Sequence, residues 1–178
     1  MSHFVLPDRR FRLSFIAAVR EFHDHAEPVP WFVAEVTAER LEAPGAFDHY
    51  VDGLLAEQRE DAPRRPGFVP VTTLWWVDGE EFLGRLAIRH RLTPELESLG
   101  GHIGYDVRPT ARRRGHGTAM LHAALPYAHR LGIDPALIMC DNTNIASRNI
   151  IEGAGARFAD QRGRKLRYWL PTAPIRTS

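Results

Sequence analysis

The run IGYDVRPTARRRGHGTAMLHAALPYAHRLG, residues 103–132, constrains the fold more than any other part of the sequence. Ile103, Tyr105 and Val107 alternate with Gly104 and Asp106, the period-two signature of a strand. Pro109 ends the alternation, and residues 108–119 hold four arginines and two glycines. Apolar residues at helical spacing then predict a helix over residues 116–131, closed by Gly132 just past its end. Pro126 falls inside that helix, where it should kink the axis or cost about 3 kcal/mol, and the sequence offers no reason for it.

A strand that turns through arginines and glycines into a helix suits an anion. The first helical turn leaves backbone N–H groups unpaired and carries partial positive charge. Gly115 and Gly117 let a ligand approach the backbone, and Arg112, Arg113 and Arg114 supply forked donors matched to phosphate oxygens. An exposed arginine run is also a common solvated surface, and the pattern by itself leaves that reading open. Nucleic acid fits less well, because the turn has no aromatic partners or reading helix and the net charge of the chain is only +1.

The rest of the chain supplies a setting. Apolar spacing predicts a helix in SFIAAVREFHDH, with Ser14 as cap, and a second in AFDHYVDGLLAEQRED. VPVTTLWWV and EEFLGRLAIRH flank Asp78-Gly79 as a hairpin, which sends Trp75 and Trp76 to opposite faces. Thr93 and Pro94 open a short helix, PALIMC reads as a strand covered on both faces, and NTNIASRNIIEGAGA is a helix capped by Asn142 or Asn144. RFADQRGRKLRYWL closes as a hairpin around Arg162-Gly163. This order predicts a single α/β domain over residues 1–178, with helices on a mixed, mostly antiparallel sheet. Residues 1–66 form its helical part and 67–170 its sheet and core.

With 44% hydrophobic and 25% charged residues the composition is that of a soluble globular protein. The lone Cys140 excludes an internal disulfide and a multi-cysteine zinc site, and the nine histidines lack paired ligand spacing, so no metal is expected. No apolar run long enough for a signal peptide or a membrane span occurs, so a cytoplasmic protein with no membrane partner is expected.

GHIGYDVRPTARRRGHGTAMLHAAL resembles the acetyl-CoA-binding motif of the GNAT N-acetyltransferase superfamily, Q/R-x-x-G-x-G/A, present here as Arg112-Arg113-Arg114-Gly115-His116-Gly117. CDNTNIASRNIIEGAGA is similar to that superfamily's N-x-x-A/S segment, and with GRLAIRHRLTPELESLGG and RYWL the set resembles a bacterial subgroup of predicted acetyltransferases. The resemblance implies a sheet splayed between the strands that flank the cofactor helix. It implies a pyrophosphate cradle from Arg112, Arg113, Arg114, Gly115, His116, Gly117 and Thr118, and main-chain contacts to pantetheine from Asp106, Val107 and Arg108. Asn144 and Ser147 would face the thioester. Acetyl-CoA would be the donor cosubstrate and a small-molecule or peptide amine the acceptor. Dimers are common in the superfamily; nothing in this sequence decides that point.

The chain departs from the superfamily pattern in two places. The usual tyrosine acid on the helix after PALIMC is replaced by Ile151, leaving Ser147 as the expected group near the leaving thiolate. His102 takes the place of a usual glutamate and is the expected general base, with a water chain as its alternative. The missing tyrosine also fits a second reading, a non-catalytic acyl-CoA-binding sensor or regulatory module of the same fold.

Overall fold

The computed structural model describes residues 1–26 and 28–174. Seven strands form one sheet: β1 (His3–Val5), β2 (Val71–Asp78), β3 (Glu81–Arg89), β4 (Ile103–Val107), β5 (Ala136–Asp141), β6 (Arg157–Arg162) and β7 (Lys165–Leu170). Their order across the sheet is β1-β2-β3-β4-β5-β7-β6. All neighbours are antiparallel except β4 and β5. Both expected hairpins form, with Gly79 and Gly163 at positive φ in their turns.

Alternation along the strands divides the core in two. Leu74, Trp76, Leu86, Ile88 and Ile103 face a layer built with α6 (His116–Arg130) and α7 (Ile145–Gly153). Trp75, Val77 and Phe82 face the other layer, formed by α1 (Arg12–His25), α2 (Trp31–Ala34), α3 (Ala38–Glu42) and α4 (Ala46–Ala56). Both tryptophans of β2 are therefore core residues. The short α5 (Pro94–Leu99) starts as expected, its first turn capped by the Thr93 hydroxyl.

Several local expectations change. β1 had no signal in the sequence; it is three residues long and gains its ladder only from β2. α1 is preceded by a 3-10 turn whose N-cap is Asp8, while the Ser14 hydroxyl accepts a hydrogen bond from the Phe82 N–H at 2.8 Å. Ser14 thus ties the helix to the sheet instead of capping it. α2 and α3 are short helices that the sequence reading did not place. α6 runs through Pro126, which lies exposed on its outer side, so water can take the carbonyl that the missing N–H leaves free.

Candidate active site

β4 and β5 share a single register pair, Ile103 with Ile138. Beyond it Met139, Cys140 and Asp141 continue on β7, and Gly104 to Val107 keep only β3 as a neighbour. The two strands therefore part, and the edge of β4 borders a gap. His102 closes its inner end, donating its backbone N–H to Leu137 O at 2.7 Å and accepting the Leu137 N–H on Nδ1 at 2.9 Å. That bond gives His102 a different task from the one the sequence suggested. Its Nδ1 lone pair is committed to Leu137, so the neutral ring carries its proton on Nε2 and has no free basic nitrogen. Burial and the nearby Arg89 also hold its pKa below the usual value.

At the outer end of the gap lies the arginine-glycine turn. Gly115 is the N-cap of α6 at φ 82 and brings no side chain to cap it. The first backbone N–H of this helix to find a carbonyl is that of Ala119, on Gly115. Among the described residues, the N–H groups from Arg113 to Thr118 have no hydrogen-bond acceptor in the protein. Arg113 is the one non-glycine residue at positive φ, 62°, among the described residues, which turns this run of donors together. Arg112, Arg113 and Arg114 are exposed and none is within ion-pair reach of a described carboxylate. Gly117 lies against α7 and β4: a Cβ there would sit 2.8 Å from Ile150 Cδ1, a side-chain end that can swing aside, and 3.8 Å from Tyr105 and Val107. His116 is half-buried and accepts from Trp76 Nε1 at 3.2 Å.

The β3–β4 ladder decides which main-chain groups border the gap. Arg89 N–H donates to His102 O and Arg108 N–H donates to Leu83 O, both at 2.8 Å. Alternation between them turns the groups of Gly104 and Asp106 toward β3 and those of Tyr105 and Val107 toward the gap. Of the three expected main-chain contacts, Val107 has the required orientation, its carbonyl accepting from Arg112 Nε at 3.1 Å, whereas the Arg108 N–H is consumed and Asp106 points the other way. Tyr105 is the residue that the sequence reading missed, two positions from Val107 on the same edge. The Arg108 side chain is also occupied, in a half-buried ion pair with Glu21 at 2.6 Å.

On the α6–α7 side, the Tyr105 hydroxyl meets Ser147 Oγ at 2.9 Å across the gap. Burial, partly countered by this hydrogen bond, pushes the Tyr105 hydroxyl up to about 12. Asn144 caps α7 by accepting the Ser147 N–H at 3.0 Å, so the serine hydroxyl is not spent on capping. Ile151 is fully buried in the core below. Cys140 is buried as well, and that burial raises its thiol.

The opposite face of the gap looks toward α1–α4. Trp75, Arg85 and Asp106 form one cross-strand row; Thr73, Ala87 and Gly104 form the next. Asp106 makes no hydrogen bond or ion pair through its carboxylate to any described group. Burial pushes that carboxyl up, with Arg85 and Arg112 pulling it back. Among the described residues, no group of three or more His, Cys, Asp or Glu is placed to hold a metal ion, and no helix is long and apolar enough to cross a membrane.

The family model for the acetyltransferase (GNAT) domain matches residues 11–157. Among solved structures, RimJ of Mycobacterium smegmatis in complex with CoA-disulfide superposes with a TM-score of 0.68 at 18% identity, over 99% of this chain and 85% of that one. RimL, a ribosomal L7/L12 α-N-protein acetyltransferase in complex with coenzyme A, gives 0.66 at 16% identity, over 94% and 92%. The microcin C7 self-immunity acetyltransferase MccE, in complex with acetyl-CoA and AMP, gives 0.65 at 9% identity, over 96% and 92%. No curated protein matches by sequence. At these identities the structural likeness is one of fold.

Proposed function

The chain belongs to the acetyltransferase (GNAT) family, a family of acyltransferases, and from that premise we propose that it transfers the acetyl group of acetyl-CoA to a primary amine of a small molecule or peptide. The transfer is direct, with donor and acceptor bound together. The observation that carries this reading is the β4–β5 gap opening beside the uncapped, arginine-rich start of α6. The free N–H groups from Arg113 to Thr118, with Arg112 and Arg114, fit a diphosphate. The edge of β4 fits an amide-bearing arm that enters past Val107 and reaches inward to Tyr105. The Tyr105 N–H is then the donor nearest the thioester carbonyl, where oxyanion charge develops.

An alkylammonium with a pKa near 10 must lose a proton before it attacks. Asp106 is the group for that step: it lies on β4 beside the gap, faces the acceptor side, and burial makes it a stronger base than an ordinary carboxylate. On the other side, a Tyr105 hydroxyl that donates to Ser147 leaves the serine proton free to meet the departing thiolate. At about 12, Tyr105 is too weak an acid to supply the proton itself, so the pair stabilises by hydrogen bonding. This side-chain pair, with no role in capping, favours catalysis over a non-catalytic binding module.

Acetyl-CoA-dependent thiol release with a panel of amines tests the proposal. Wild type should turn over, and Ser147→Ala and Tyr105→Phe should each lower kcat by about 10–100-fold while acetyl-CoA binding persists. Binding without turnover on any amine would favour the sensor reading.

A further inference from the structure

Arg85 is buried, with 4% of its surface exposed, yet no carboxylate among the described residues forms an ion pair with it. Its hydrogen bond among the described residues is a long one, Nη2 to Thr73 Oγ1 at 3.4 Å. The aromatic rings of Phe32 and Trp31 cover it at 4.5 and 5.2 Å. Asp106 is its cross-strand neighbour and Glu57 lies near, but neither forms an ion pair with it. Such a desolvated cation is costly unless an anion joins it. Four residues along the strand, Arg89 presents a second guanidinium beneath Trp31, at 6.0 Å from the ring, bonded among the described residues to the carbonyls of Gly100 and Gly101.

Between these two arginines the floor is low. Ala87 and Gly104 form it, and a Cβ placed on Gly104 would come within 4 Å of one atom alone, Arg89 Nη1 at 3.9 Å. Two guanidiniums without an ion-pair partner among the described residues, under an aromatic cover and over small residues, thus lie beside Asp106, the carboxylate at the gap. Arg85 and Asp106 occupy a hydrogen-bonded cross-strand pair, which sets their Cα atoms about 5.5 Å apart.

We propose that the acceptor amine carries its own carboxylate, which docks on Arg85 under Phe32 and Trp31 while the amine nitrogen meets Asp106. The charges of the row, cationic at Arg85 and anionic at Asp106, complement an ammonium and a carboxylate separated by a few bonds. That chemistry has two sources: the α-carboxylate of a free amino acid, or the side-chain carboxylate of an acidic residue at a peptide N-terminus. The proposal rests on the acetyltransferase reading above and names its substrate class.

Thiol release from acetyl-CoA is compared within matched pairs: glycine against glycinamide and β-alanine against its amide for the free acids, and Glu-Ala-Ala against Gln-Ala-Ala for the peptide. One of these arms should favour the carboxylate by at least 10-fold in kcat/KM, and the favoured arm identifies the source. In Arg85→Gln that ratio should fall toward one, and Arg85→Lys should restore part of it. If the variants do not fold, the wild-type ratios still decide. Acids no better than their amides in every arm, inert ones included, would overturn the proposal, as would a preference that persists in Arg85→Gln. Acetyl-CoA titration of the same preparation separates the two levels. A chain that does not bind acetyl-CoA refutes the acetyltransferase reading itself, whereas one that binds it without a carboxylate preference refutes only the substrate class.

Discussion

Asp106 shows how a residue's neighbours set its chemistry. Burial raises its carboxyl, and the nearest cations, Arg85 and Arg112, only partly reverse that. For catalysis, kcat/KM should climb as pH rises through this elevated value and lose that limb in Asp106→Asn, with a drop of about 100-fold or more at neutral pH. For stability the sign is opposite. The folded chain holds this proton more tightly than the unfolded one, so ionising Asp106 weakens folding as pH rises from the ordinary carboxylate range to its raised pKa. Asp106→Asn should therefore melt no lower than wild type at neutral pH, so lost activity there would not be lost fold. An unchanged pH profile in the variant would remove Asp106 from the proton-transfer step. The sequence identified Asp106 only as main-chain scaffolding, because a strand's alternation says which residues share a face but not which face borders a gap. His102 was misleading for a related reason. A histidine five positions before Val107 looks like a base, and only the Leu137 N–H on its Nδ1 reveals a clamp. Arg85 carried a fainter signal, a single cation in the otherwise apolar run FLGRLAI.

At the scale of elements, α6 and its turn were the most legible part of the chain. Pro109, Gly115 and Gly132 punctuate the helix in positions that backbone chemistry requires, and Gly132 indeed closes it at φ 75. β1, α2 and α3 were not legible, since three to five residues leave too few positions for a period to register and their stability comes from what they pack against. The link between α1 and the turn was equally hidden: Glu21 accepts from Arg108 through Nε and Nη2 and from the Thr110 hydroxyl, joining a helix to a turn nearly ninety positions away. Burial alone would raise Glu21, but these hydrogen bonds outweigh it and hold its pKa below the ordinary value. Its stabilisation is thus complete above the unfolded pKa and fades as pH falls through the lower folded one. Glu21→Gln should lower stability by about 2 kcal/mol at neutral pH, since Glu81 still lies 3.7 Å from Arg108, with less difference from wild type in acid, as denaturant melts across pH would read. A cost independent of pH would point to packing instead of charge.

The whole molecule is a sheet with two unlike faces and one fault line. Helices α6 and α7 cover one face, where the uncapped start of α6 and the Tyr105–Ser147 hydrogen bond lie; α1 to α4 cover the other, the side of the Trp75–Arg85–Asp106 row. Where β4 and β5 part, the two sides meet, and that is where the proposed transfer would bring donor and acceptor together. Element order and the cofactor motif gave this architecture in outline from sequence. The side proposed for the acceptor was not readable, because it assembles from single residues of β2, β3, β4 and α2 that no motif links. Isothermal titration of acetyl-CoA, on wild type and on the Arg112→Glu/Arg114→Glu double variant, asks whether the gap and its turn bind this donor. Wild type should show one saturable site per chain, and the double variant an affinity at least 10-fold weaker. No binding to wild type, or equal binding to both, would contradict binding at this site.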